Sequence, residues 1–150
     1  MSSLAEVQAD TLNKFLEAWR TQDVGTTIEL WSDDFKQRLL PDSLGAAVKS
    51  RAEAAVIYPV LTSNLSNWKL EIKQIVHDAA RGTAAVYATS SADTPLPDEK
   101  WATDYAVFIS FTEDGTQINK LDEMVDSTFY GRFFPKFQQY LAKTRGTPAH

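Results

Sequence analysis

Apolar and polar residues alternate along the chain with two rhythms, and each rhythm predicts a different kind of element. Leu4, Val7, Leu12, Phe15, Leu16 and Trp19 recur at three- and four-residue spacing, which predicts an amphipathic helix ending near Thr21-Gln22-Asp23. A shorter helix is expected over Thr26 to Trp31, with Ile28, Leu30 and Trp31 on its buried side and Ser32-Asp33-Asp34 breaking it. Phe35 to Leu40 reads as a short strand stopped by Pro41. Ser50 and Glu53 stand at capping-box spacing, so a third helix starts there and runs through Ala54, Ala55, Val56 and Ile57, with Pro59 as a kink.

From Asn67 the period falls to two. Trp68, Leu70, Ile72, Gln74 and Val76 alternate with Lys69, Glu71, Lys73, Ile75 and His77, the pattern of a half-buried strand with His77 on its solvated side. A turn over Asp78 to Gly82 leads into a strand from Thr83 to Ser91, then a loop from Ala92 to Glu99 whose two prolines cannot join a ladder. Lys100 to Phe111 is expected to be the longest strand. Trp101, Thr103, Tyr105, Val107, Ile109 and Phe111 share one of its faces, and Ala102, Asp104, Ala106, Phe108 and Ser110 the other. The turn Glu113-Asp114-Gly115 precedes a last strand over Ile118 to Asp126. Ser127 then reads as the N-cap of a terminal helix with Phe129, Phe133, Phe134, Phe137 and Leu141 inward, and Thr144 to His150 as a frayed tail. Asp126 is placed to cap that helix or the turn before it. Helices, antiparallel hairpins and a closing helix imply an α+β fold, with a curved sheet wrapped around the N-terminal helices. Trp19, Trp31, Trp101, Tyr105 and Phe111 would line a conical pocket without filling it.

The last strand carries the first chemical signal. A period of two puts Glu123 on the face of Leu121 and Val125, pointing inward, where a carboxylate must be paired, hydrogen-bonded or protonated. A β-bulge would instead return it to solvent, and periodicity alone leaves both arrangements open. Tyr105 and Trp101 lie four apart on one strand face, about 13 Å along it, and read either as core or as pocket wall. Arg38 sits among Phe35, Leu39 and Leu40 with ambiguous parity. If Arg38, Tyr105 and Glu123 face one cavity, they supply a cation, a phenol donor and an acid/base around apolar space, enough to move protons on a greasy substrate with no cofactor.

Composition narrows the classes. A chain of 150 residues with 43% apolar residues suits one domain, 1–150. The net charge of −5, with no basic cluster, argues against nucleic acid. No apolar run is long enough to span a membrane, and the N-terminus lacks a signal-peptide layout. The absence of cysteine removes disulfides and thiolate metal sites and fits a reducing, cytoplasmic setting. With His77 and His150 as the only histidines, neither a histidine metal centre nor a Ser-His-Asp triad is expected.

The order helix, helix, short strand, helix, long hairpins and terminal helix resembles the SnoaL-like family of the nuclear transport factor 2-like superfamily, over nearly the whole chain. Trp31 to Leu44 and Asp122 to Tyr130 resemble the corresponding segments of fungal natural-product isomerases of the semipinacolase and meroterpenoid types. The resemblance implies a cone-shaped fold and a cofactor-free isomerase or cyclase acting on a small-molecule substrate, a hydrophobic polycyclic intermediate of fungal secondary metabolism. The implied site is Glu123 as acid/base, Arg38 as the fixed cation and Tyr105 as the phenol donor. The first of the two tyrosines of the semipinacolase type falls on Trp101, expected here to bind and stack on substrate. A homodimer is expected through the outer sheet, where Lys69, Glu71 and Lys73 adjoin an apolar patch of Ala102, Ala106 and Phe108. The alternative is a non-catalytic binding or dimerisation module of the same fold.

Overall fold

The computed structural model describes residues 1–146, and Thr147 to His150 lie outside them. Four α-helices pack on a six-stranded mixed sheet. The helices are α1 (Leu4–Thr21), α2 (Val24–Glu29), α3 (Arg51–Ser63) and α4 (Ser127–Gly146). The strands are β1 (Trp31–Leu40), β2 (Lys49–Ser50), β3 (Ser66–Asp78), β4 (Thr83–Asp93), β5 (Lys100–Phe111) and β6 (Ile118–Val125). Their order is β2-β1-β6-β5-β4-β3, so the sheet is curved but unclosed, with β2 and β3 at its edges. Among the described residues only the β1–β6 pairing is parallel. The fold is α+β, the cone expected from the residue pattern.

Local chemistry fixes the helix starts. Ser3 with Glu6 and Ser50 with Glu53 form complete capping boxes on α1 and α3. The side chain of Asp23 accepts from the Thr26 N–H, so α2 begins at Val24 and ends before Trp31. Trp31, Ser32, Asp33 and Asp34, expected to end that helix and break it, instead open β1. The Ile118 N–H donates to the Leu30 carbonyl at 2.7 Å and pulls this segment into the sheet. Asp126, not Ser127, caps α4, its Oδ1 accepting from the N–H groups of Thr128 and Phe129. That helix continues through Thr144 to Gly146, where a frayed tail was expected, and the rest of the tail lies outside the described residues. At Gly115, φ is +78° and an added Cβ would sit 3.1 Å from Gln8 and Leu4, so the turn after β5 can lie directly on α1.

Two strand expectations change. β3, not β5, is the longest strand, at 13 residues against 12. A bulge between Ile72 and Gln74 also reverses the parity of its second half. Ile75 and His77 therefore pair with the inward residues Val86 and Ala84, while Gln74 and Val76 turn outward. His77 is accordingly half-buried and hydrogen-bonded to Gln8 of α1 at 2.9 Å, rather than solvated.

The core lies between the inner face of the sheet and the helices. Phe35, Val107, Ile109, Ile118 and Phe133 are almost wholly buried there. At one end α4 packs its aromatic stripe on Trp101, with the rings of Phe129 and Phe133 each 5.3 Å from the indole. Among the described residues no helix is long and apolar enough to cross a membrane.

Candidate active site

Glu123 faces inward, as its period predicts. It pairs with Val107 on β5 and Leu39 on β1, between Leu121 and Val125, and no bulge intervenes within that stretch. Its accessible surface belongs to a cavity of about 40 Å³ lined by Phe15, Trp19, Thr27, Trp31, Gln37, Tyr58, Val107, Leu121 and Glu123. That is the space of roughly one water molecule. The aromatic residues thus nearly fill the cone that they were expected only to line, because α1 and α3 press Phe15, Trp19 and Tyr58 toward the sheet.

Burial sets the electrostatics. Desolvation raises the Glu123 carboxyl above its ordinary value, opposed by a hydrogen bond from Gln37 and the more distant charge of Lys49. The Gln37 amide donates to Oε1 at 3.3 Å. Tyr58 is pushed up to about 12, first by burial and then by the Glu123 charge, against a hydrogen bond with Thr27. Tyr130 is raised well above the usual phenol range by burial, and further by Glu123 and Tyr105. The phenols that feel this carboxyl group's charge therefore stay protonated, and Tyr58 shares its cavity.

The other three expected site residues fall elsewhere. Arg38 stands opposite Asp122 on the outer face, where its guanidinium binds that carboxylate at 3.0 Å. It does not share the cavity with Glu123, because inward Phe35 and Gln37 place Lys36 and Arg38 on the other parity. Tyr105 does point inward and its ring lies 5.3 Å from Trp19, but its hydroxyl is engaged with Ser90 behind the cavity wall. Burial raises it, with the Ser90 and Trp101 hydrogen bonds opposing. Trp101 is 2% exposed, donates to Ser90 Oγ at 2.8 Å and packs against α4, so it belongs to the core instead of to a substrate surface. Gln37 and Tyr58 were missed. Both were accessible by spacing: Gln37 is two after Phe35 on a strand, and Tyr58 four after Ala54 on a helix.

A larger depression lies on the opposite face of the sheet. It is an open groove of about 640 Å³ along β4, β5 and β6, bordered by Tyr87, Asp104 and Met124. Within it the Tyr87 hydroxyl donates to Asp104 at 2.9 Å. The enclosed carboxyl group is the better chemical centre. Among the described residues no cluster of three or more His, Cys, Asp or Glu could hold a metal ion.

No family model matches the chain. Monooxygenase nsrS of Aspergillus novofumigatus is 62% identical over 142 residues, spanning 94% of this chain and 95% of that protein. Monooxygenase dmxR10 of a Cryptosporiopsis species is 49% identical over 150 residues, 100% and 99% of the two chains. The chain belongs to this fungal nsrS/dmxR10 family. The chain has the nuclear transport factor 2-like fold. This fold is shared with the BvnE pinacolase of Penicillium brevicompactum, at TM-score 0.81 and 18% identity over 93% of this chain and 96% of that one. PrhC of Penicillium brasilianum follows at TM-score 0.77 and 18% identity, covering 93% of each. At such identities the likeness to these two structures is one of fold.

Proposed function

We propose that the protein is a cofactor-independent isomerase or cyclase acting on a hydrophobic polycyclic intermediate of fungal secondary metabolism. The observation that carries this reading is the Glu123 carboxyl, buried at an aromatic-walled cavity with one amide donor and no lysine or arginine in the lining. A carboxylate raised toward neutrality removes a proton from carbon beside a carbonyl far better than a solvated one, and can return it to another position. Gln37 fixes one carboxyl oxygen and leaves the second for the reacting C–H. Tyr58, protonated at all ordinary pH values, donates to the developing oxyanion. Admission of a ring system requires Phe15, Trp19 or Tyr58 to move aside, since the cavity at rest holds only about 40 Å³.

A second reading has its own support, the monooxygenase names of relatives 62% and 49% identical. Its first step is the same proton removal. The carbanion of an activated methylene would then meet dioxygen, one oxygen atom becoming the carbonyl and the other leaving as water, with all four electrons supplied by the substrate. A third outcome is the non-catalytic module. Incubating purified protein under ¹⁸O₂ with extract of cells lacking it separates the three. A consumed metabolite replaced by one of equal mass supports the isomerase, one ¹⁸O atom in the product supports the oxygenase, and an unchanged profile supports the module. The homodimer belongs to the same proposal. Val76, Tyr87, Phe108 and Met124 are each at least 40% exposed on the outer face, and light scattering of the purified protein reports whether two copies associate.

A further inference from the structure

We infer that the indole N–H of Trp31 is the hydrogen-bond donor for a ligand oxygen in the Glu123 cavity, so that the ligand is an uncharged aromatic ring system carrying an accepting oxygen, such as an aryl ketone. The inference rests on that cavity being the site. Trp31 lines it and is 3% exposed, yet its Nε1 has no hydrogen-bond partner. Unpaired buried donors are rare in folded proteins. The indoles of Trp68 and Trp101 show the usual arrangement, donating to the Trp19 carbonyl at 3.0 Å and to Ser90 Oγ at 2.8 Å.

The ring is also held in place. It stacks on Phe35 with centroids 4.5 Å apart and planes 8° from parallel. The Trp31 carbonyl accepts from Arg51 Nε and Gln117 Nε2, each at 3.2 Å. A rigid, unpaired donor on a residue that lines the same small cavity as a carboxyl group suits a carbonyl oxygen whose neighbouring carbon gives up a proton. Charge selects the rest. An anion would meet Glu123 with no cation in the lining, and a cation would pair with Glu123 and remove its basicity. Phe15, Trp19 and Tyr58 favour a flat ring.

The test uses ¹⁵N-labelled full-length protein titrated with 1-indanone and with indane, which differ in one oxygen. The Trp31 indole resonance is expected upfield of those of Trp68 and Trp101. It should move downfield with 1-indanone and not with indane, while the other two stay. 1-Indanone should bind about tenfold more tightly than indane, the scale of satisfying a buried donor, and Trp31→Phe should erase that preference. An unmoved Trp31 resonance, an equal shift with indane, or no binding of 1-indanone would overturn the inference. Should Trp31→Phe fail to fold, the titration of the unmodified chain decides alone. Loss of turnover in Glu123→Gln together with an unmoved Trp31 resonance sinks the donor and spares the chemistry. Full turnover in that variant with a shifted resonance does the reverse.

Discussion

Asp122 and Glu123 are neighbours on β6 and occupy opposite faces of one sheet. Asp122 looks outward to two cations, Arg38 at 3.0 Å and Lys120 at 3.5 Å. Glu123 looks inward to one amide at 3.3 Å and a shell of aromatic rings. A single step along a strand thus exchanges an acid ion-paired on the outer face for an inward one without a cation partner, raised above its ordinary value. Proximity in sequence is no guide to chemical role where the period is two. The same rule removes Arg38 from the site: it follows Asp122 outward, and Gln37 takes the inward place beside Glu123.

The comparison breaks most visibly at Glu123 itself. Glu123→Gln keeps the shape and removes titration, so turnover should fall at least ~100-fold, the scale of general acid–base catalysis. Near-normal turnover would take Glu123 out of the mechanism. Next comes the buried network behind the cavity. Tyr105→Phe leaves Ser90 and Trp101 without the phenol, and denaturant unfolding should show a loss of about 1–3 kcal/mol, the cost of a broken buried hydrogen bond.

A pH series sharpens the contrast between the two acids. A carboxyl raised in the folded state contributes stability that is fully present below its unfolded value, near 4.5, and is lost as pH rises through the folded value. Glu123→Gln should therefore match the natural protein in acid and become the more stable of the two toward neutral pH, as read from melting temperatures. Replacing Gln37 with Met takes away the donor that lowers the Glu123 value, so the rising limb of kcat/KM against pH should move to higher pH. The smallest effect belongs to Arg38→Gln. Half-exposed on the outer face, its loss should leave turnover near normal, and a collapse of activity there would restore Arg38 to the site.

Much of the fold was legible because its signals are local. Capping residues at Ser3 and Ser50, turn chemistry at Gly115 and the alternation of β5 and β6 depend on neighbours a few positions away. His77 was misread because the bulge between Ile72 and Gln74 leaves no mark in composition and reverses every residue after it. Trp31 was misread for a related reason, since a partner 87 positions later, Ile118, decides that it is strand and not helix.

The residues by themselves narrowed Glu123 to two arrangements, inward by parity or outward across a bulge, and the regular pairing of β6 with β5 and β1 decided for the first. Only the packed molecule decided what meets it there. Whether Arg38 or Gln37 reaches the carboxyl depends on which strand pairs with β6 and in what register. Whether Tyr105 is free or bound to Ser90, and whether the cone stands open or closed, depends on how rings from α1, α3, α4 and the sheet fill one volume. Those are contacts between distant segments, and no short window of sequence contains both partners.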